Sequence, residues 1–284
     1  MTQSGEKTHT IEGAPYRIEE MPGGVDLEIE RLREQALLTW PREERNLRWF
    51  GLRDGMAVLE LGSGPGFVTG ALLDMVPNGT VTTVELDPVM VERAKQVLAG
   101  KGEGRLTMVQ GTVMSTGLPD STFDFAYARY LFQHLPDPLA AAREALRVLK
   151  PGGKLVIADV DDDMHFFDPP HLPEADAIIN RALMDEHAAK GGNRRIGRRL
   201  IRLLREAGFT NATFEIIPTH SDELGADVLK SVGSAAREFI QGLRDAGKIT
   251  EHEKEVLLRD EELTSDPDAI TILNLLVACG EKPA

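Results

Sequence analysis

The chain has 284 residues, 42% of them hydrophobic, and a formal net charge of −14. That is enough apolar material for one large α/β domain with insertions, which excludes a disordered chain, and the negative charge argues against nucleic acid, whose partners carry a basic footprint. No apolar run approaches a membrane span, the N-terminus shows no apolar signal region, and the lone Cys279 can form neither an internal disulfide nor a cysteine metal site. A cytoplasmic protein with no membrane partner is the expectation.

Residues 1–25 are polar, with Pro15, Pro22, Gly23 and Gly24, and read as a loose arm. Leu27 to Phe50 has a helical pattern, with a break expected at Pro41. Residues 1–50 therefore form an N-terminal arm and lid ahead of a main domain over 51–284. Ala57 to Leu61 is a short apolar run interrupted by Glu60 and reads as a buried parallel strand. Gly62, Gly64 and Gly66 follow, then a helix pattern from Phe67 to Met75. Strand, glycine turn and helix together suit a nucleotide-like ligand above the first strand. A dinucleotide fingerprint requires G-x-G-x-x-G, and the third glycine position falls on Phe67, so that match fails.

The second strand, from Thr80, ends at Glu85. Asp87-Pro88 then opens a helix, with Asp as N-cap and Pro at the first helical position. A carboxylate at a second strand end can accept from both hydroxyls of a ribose. It fits any adenosine ligand, NAD included. Arg105–Gln110, Phe123–Ala128 and Lys154–Val160 read as the third to fifth strands. Asp137-Pro138 caps another helix, and Pro151 with its glycines stops it.

Asp159, Asp161, Asp162 and Asp163 cluster at the fifth strand's end beside His165. Three readings compete: a hard-cation site, a general base at Asp161 or His165, and solvated loop acids. Gly197–Gly208 is an amphipathic helix with Arg195, Arg198, Arg199, Arg202 and Arg205 opposite its apolar stripe; a solvated face is favoured over an anion patch. Asn211–Ile217 is a sixth strand and Ile270–Cys279 a last one. Segments 165–195 and 221–268 are helical insertions, read as a substrate cap or subunit contact; a homodimer is compatible with them.

E-L-G-S-G-P-G, from Glu60, resembles the first motif of the class I (seven-stranded, Rossmann-like) S-adenosylmethionine-dependent methyltransferases, in their small-molecule branch. Glu85, the Leu118-Pro119 to Phe123-Asp124 step, Ala128–Pro138 (A-R-Y-L-F-Q-H-L-P-D-P) and Arg205–Phe209 (R-E-A-G-F) extend the resemblance. It implies a doubly wound, mostly parallel seven-stranded α/β sheet whose C-terminal antiparallel strand slots between the fifth and sixth. It implies S-adenosylmethionine as cofactor, with Glu60 near the methionine amino group and Gly62, Ser63 and Gly64 beneath ribose and methionine. Glu85 and the adjacent Leu86 fall on the ribose. Arg129, and Arg31 or Gln35 of the N-terminal helix, fall within reach of the methionine carboxylate. The family's usual Gly-Asp-Ala is here Gly111-Thr112-Val113, a departure that shifts the adenine contact to Thr112 and Val113. His134 and His165 are the candidate bases, with a packed structural histidine as the alternative for His134. Tyr130 is a poorer base.

The resemblance implies methyl transfer to a small-molecule acceptor by in-line displacement, with O-methylation of a secondary metabolite as first guess and C-methylation of a quinone- or polyketide-like ring behind it. An NAD-dependent oxidoreductase, a non-catalytic subunit of the same fold and a nucleic-acid methyltransferase are the other readings.

Overall fold

The structure is a computed structural model that describes residues 16–21, 24–224, 226–266 and 268–284, with backbone alone for 20, 186, 224 and 226–235. A helix α1 (Gly24–Phe50) precedes the alternating elements β1 (Ala57–Leu61), α2 (Phe67–Met75), β2 (Thr80–Glu85), α3 (Pro88–Val97), β3 (Leu106–Gln110), β4 (Phe123–Arg129), α4 (Pro138–Val148) and β5 (Leu149–Val160). Then come β6 (Phe166–Asp168), α5 (Pro173–Ile179), α6 (Asp185–Ala189), α7 (Leu200–Ala207), β7 (Thr210–His220), α8 (Ser221–Leu224), α9 (Ala226–Asp245), α10 (Glu251–Thr264) and β8 (Ile270–Glu281).

β1 sits at the centre of the sheet, parallel to β2 on one side and β4 on the other, with β3 beyond β2 and β5 beyond β4. The order reverses across β1 and β4, which opens a crevice above their carboxyl ends. β8 runs antiparallel between β5 and β7, as the resemblance implies. One strand was not expected: β6 pairs with the first residues of β8, giving eight strands among the described residues.

Both faces of the sheet are covered, which is why β1 and β4 are mostly apolar, Glu60, Asp124 and Arg129 being their charged residues. Leu59, Leu61, Ala126, Ala128 and Ile157 pack against α4 and α7. Val58, Phe125, Tyr127 and Val156 pack toward α2, α3 and the C-terminal half of α1. The Asp-Pro pairs act as read: Asp87 accepts from Val89 N, and Asp137 accepts from Ala140 N.

Two expectations are corrected. Pro41 does not end the helix; α1 runs through it, because Thr39 and Glu43 on either side are gripped by β4. The loose arm is docked from Tyr16: Ile18 is fully buried in a short 3-10 turn, whereas residues 1–15 of that expectation lie outside the described residues. The two insertions share one core. Ala175, Ile178 and Ala182 of the first interlock with Ile240, Leu243, Ile249 and Leu257 of the second.

Candidate active site

The glycine turn shows why two of its glycines are needed. Gly62 has φ 69°, and a Cβ there would lie 2.8 Å from Leu131 Cδ1. Gly64 has φ 52°, and a Cβ there would meet nothing within 4 Å. Gly62 therefore serves close packing, while Gly64 leaves its backbone open to a ligand.

Glu85 is held opposite that opening. One carboxylate oxygen accepts from Gly64 N at 2.8 Å and the other from Asp87 N at 2.9 Å. Desolvation pushes its pKa up, and these N–H groups pull it back. Leu86 beside it is half-buried. Glu60 is 4% exposed and accepts from the Thr69 hydroxyl at 2.5 Å. Burial raises its pKa to about 8, the distant Arg129 offsetting only a small part. Ser63 is buried, its carbonyl accepting from Gly66 N. Thr112 uses its hydroxyl to accept from Met114 N at 3.3 Å and so caps its own turn, with Val113 buried behind it.

Helix α1 roofs the crevice. Tyr16 donates to Glu28 at 2.7 Å, and Arg31 makes a two-toothed pair with the same carboxylate at 2.6 and 2.8 Å. The Tyr16 ring lies 5.1 Å from that of His134. Burial and the Glu28 carboxylate push the Tyr16 hydroxyl pKa far up, and Glu85 is near enough to add to the effect. The roof thus spans from the carboxylate of β2 to the histidine after β4. Tyr16 and Glu28 carried no signal in the sequence, because nothing in a helix pattern tells which charged face turns inward.

Beyond β4 the chain turns through Tyr130, which has φ 49°, an uncommon value for a side chain this large. Its N–H donates to Ala158 O at 2.8 Å, tying the turn to β5. Burial pushes the Tyr130 hydroxyl to about 12. His134 stands at the end of this turn with its Nδ1 buried and without a hydrogen-bond partner. Desolvation, with Arg194, Arg31 and the neighbouring His187, lowers its pKa to about 3. His187, from the first insertion, sets its ring 5.1 Å from His134 and donates Nε2–H to Gln133 O at 2.9 Å. Gln133 is buried; its N–H donates to Asp159 and its side-chain oxygen accepts from Arg194 at 2.9 Å. Asp159 is fully buried, and desolvation lifts it to about 7.

The remaining sequence candidates are used elsewhere. Arg129 binds Glu43 through Nε and Nη2 at 2.8 and 2.9 Å, and Nη2 also reaches Gln35 O and Thr39. The guanidinium is engaged by α1, so a role on a methionine carboxylate does not follow from its position at the strand end. Gln35 contributes its carbonyl to that contact, which leaves Arg31 as the α1 cation beside the crevice. His165 accepts at Nδ1 from Asn274 N at 3.1 Å and is tied to β8 rather than grouped with His134. Asp161 is fully buried against Arg198, Asp162 pairs with Arg194, and Asp163 pairs with Arg195 and Arg198. The acidic cluster and part of the arginine row therefore answer each other, which removes the reading of Asp161 as a base. Among the described residues no cluster of His, Cys, Asp and Glu is arranged to hold a metal ion.

The sheet order, the open glycine turn and the carboxylate that closes β2 are those of the class I, Rossmann-like methyltransferase fold. Residues 59–157 match the family described as a methyltransferase domain. An uncharacterized 37.1 kDa protein in transposon TN4556 of Streptomyces fradiae is 35% identical over 170 residues, covering 60% of this chain and 47% of that protein. The ubiquinone/menaquinone biosynthesis C-methyltransferase UbiE of Shewanella sediminis is 34% identical over 117 residues, 40% of this chain and 47% of its own. The chain thus spans about half the length of these curated relatives. In structure it is similar to phosphoethanolamine N-methyltransferase 2 of Haemonchus contortus, solved with S-adenosylhomocysteine (TM-score 0.57, 18% identity, 86% of this chain and 53% of that one). It is also similar to a putative methyltransferase of Bacillus halodurans (TM-score 0.55, 18% identity, 85% of this chain and 98% of that one).

Proposed function

We propose that the protein transfers a methyl group from S-adenosylmethionine to the hydroxyl of a small-molecule acceptor bound between His134 and the helical insertions. The cofactor reading rests on how the chain's residues fit such a ligand. Gly64 is open where a ribose would approach, and Glu85 is already oriented by two N–H groups with lone pairs left for hydroxyls. Glu60, buried without a close countercharge, suits a ligand ammonium. S-adenosylmethionine supplies a sulfonium methyl already activated toward an in-line nucleophile, so the protein's work is alignment and exclusion of water.

The observation that carries the acceptor reading is the buried, unpartnered Nδ1 of His134. Burial keeps this imidazole neutral at physiological pH, so it accepts a hydrogen bond from an incoming hydroxyl. A methylated hydroxyl that kept its proton would be an oxonium, a far stronger acid than an imidazolium. A histidine with a pKa near 3 is therefore basic enough to take the proton as the oxygen–carbon bond forms. The rings of Tyr16 and His187 pack against His134, which puts aromatic surface beside the acceptor and favours an aromatic one. The insertion helices serve as its cap. Similarity to UbiE supports a second reading, carbon methylation of a hydroxylated ring, in which the same hydroxyl loses its proton to His134 and the ring carbon attacks.

S-adenosylhomocysteine should raise the melting temperature and NAD should not. Incubation with methyl-labelled S-adenosylmethionine and a panel of phenols, hydroquinones and amines should label the hydroxylated compounds. Labelling of the amines alone would defeat the hydroxyl assignment, and stabilisation by NAD alone would defeat the cofactor reading.

A further inference from the structure

The end of β4 carries a buried ion pair that the proposed reaction does not use. Glu43 is 1% and Arg129 9% exposed. Nε and Nη2 of Arg129 reach the two carboxylate oxygens at 2.8 and 2.9 Å, and Nη2 also donates to Gln35 O and Thr39 Oγ1, both at 2.9 Å. The hydroxyls of Tyr127 and Thr39 donate to Glu43 as well. The Arg129 guanidinium lies 4.6 Å above the ring of Tyr130, the residue that turns the chain toward His134.

Every α1 group in this cluster lies between Gln35 and Glu43, and Pro41 stands inside that stretch. Proline has no N–H, so the carbonyl of Leu37 lacks its helical donor and the helix is weakest there. On the C-terminal side Leu47 and Phe50 are buried in the sheet's core. On the N-terminal side Glu28 and Arg31, with Tyr16, form the roof against His134. The helix thus has one half built into the core and one half over the crevice. The ion pair marks the joint. Buried ion pairs are poor as simple glue, because a well-packed apolar replacement is often as stable. Fixing a position is the better use of one.

We propose that Glu43 and Arg129 are positioning residues: their pair pins α1 around Pro41, and residues 24–34, beyond the pinned Gln35, pivot to admit the cofactor and return to one closed position over it. This rests on the S-adenosylmethionine reading of the crevice. The pin also links the roof to the Tyr130 turn, so closure and the placement of His134 share one fixed point.

The test uses the full chain and the double substitution Glu43→Gln/Arg129→Met, which removes both charges and leaves neither buried alone. If the roof then samples its closed position about a tenth of the time, apparent affinity for S-adenosylhomocysteine falls about tenfold. Amide exchange should quicken over residues 24–34 and stay unchanged over 47–50 and β1. A double variant with wild-type affinity and wild-type exchange over 24–34 would overturn the proposal. Pro41→Ala restores the missing N–H at an exposed position and guards against a double variant that does not fold. It should slow both association and release of S-adenosylhomocysteine in stopped flow, and unchanged rates would overturn the pivot. Failure of the wild-type chain to bind S-adenosylhomocysteine would defeat the cofactor reading instead, while the exchange comparison still decides the pin.

Discussion

Glu60 offers a quantitative test of the crevice, because its burial predicts a proton count. With a pKa of about 8, the carboxyl is about three-quarters protonated at pH 7.5 in the free protein. A ligand ammonium beside it supplies the countercharge that burial withholds and brings the pKa back toward or below its ordinary 4.5. Binding of S-adenosylhomocysteine should then release about 0.75 of a proton from this group at that pH. The release should shrink toward pH 9, where the carboxyl is already ionised. Calorimetric titration in three buffers of different ionisation enthalpy measures the number directly, and Glu60→Gln should remove it. The same shift sets a stability trend. The folded free protein holds a proton on Glu60 that the unfolded chain loses above pH 4.5. Glu60 therefore makes stability decline as pH rises from about 4.5 to 8, and the Gln variant should lack that component. If S-adenosylhomocysteine binds tightly with the same proton uptake or release in wild type and Glu60→Gln, the carboxyl does not face the ligand's charge and the reasoning fails.

Glu85→Gln keeps the size but presents an NH2 to one of the two backbone donors it now satisfies. Affinity for S-adenosylhomocysteine should weaken by about 1–3 kcal/mol, and an unchanged dissociation constant by calorimetry would refute the ribose assignment. His134→Ala should leave that affinity nearly intact and lower kcat by roughly 10²–10⁴ with a hydroxylated acceptor; a large loss of cofactor affinity would place the imidazole on the cofactor instead. Because His134 stays neutral down to about pH 3, wild-type kcat should show no acid limb near pH 6.5 that disappears in a variant at this position, and such a limb would contradict its burial. Arg198→Ala leaves the buried Asp161 without its ion-pair partner and should lower the urea midpoint, with Asp161→Asn lowering it less.

Much of the fold was legible in the residues because its signals are local. An apolar run followed by glycines, an acid closing a strand, and Asp-Pro pairs each dictate their own geometry, and β1, β2, α3 and α4 lie where those signals put them. The apolar run of β8 was legible as a strand, while its antiparallel place between β5 and β7 followed from the family resemblance. The short β6 was missed, since three residues leave no periodic pattern and exist as a strand only because β8 extends past β5 to receive them.

The sequence by itself determined the turn that opens over β1, the carboxylate set opposite it, and the absence of a dinucleotide fingerprint, because all three depend on neighbours in the chain. Tertiary structure alone decided which charges meet. Asp161 and Arg198 are 37 residues apart, and Arg129 and Glu43 are 86 apart. Nothing in either segment announces its partner. Those pairings turn the acids after β5 into a structural clamp and engage Arg129 with α1. Coulomb and desolvation energies depend on distances in space, and composition and spacing along the chain fix those distances only within a few residues.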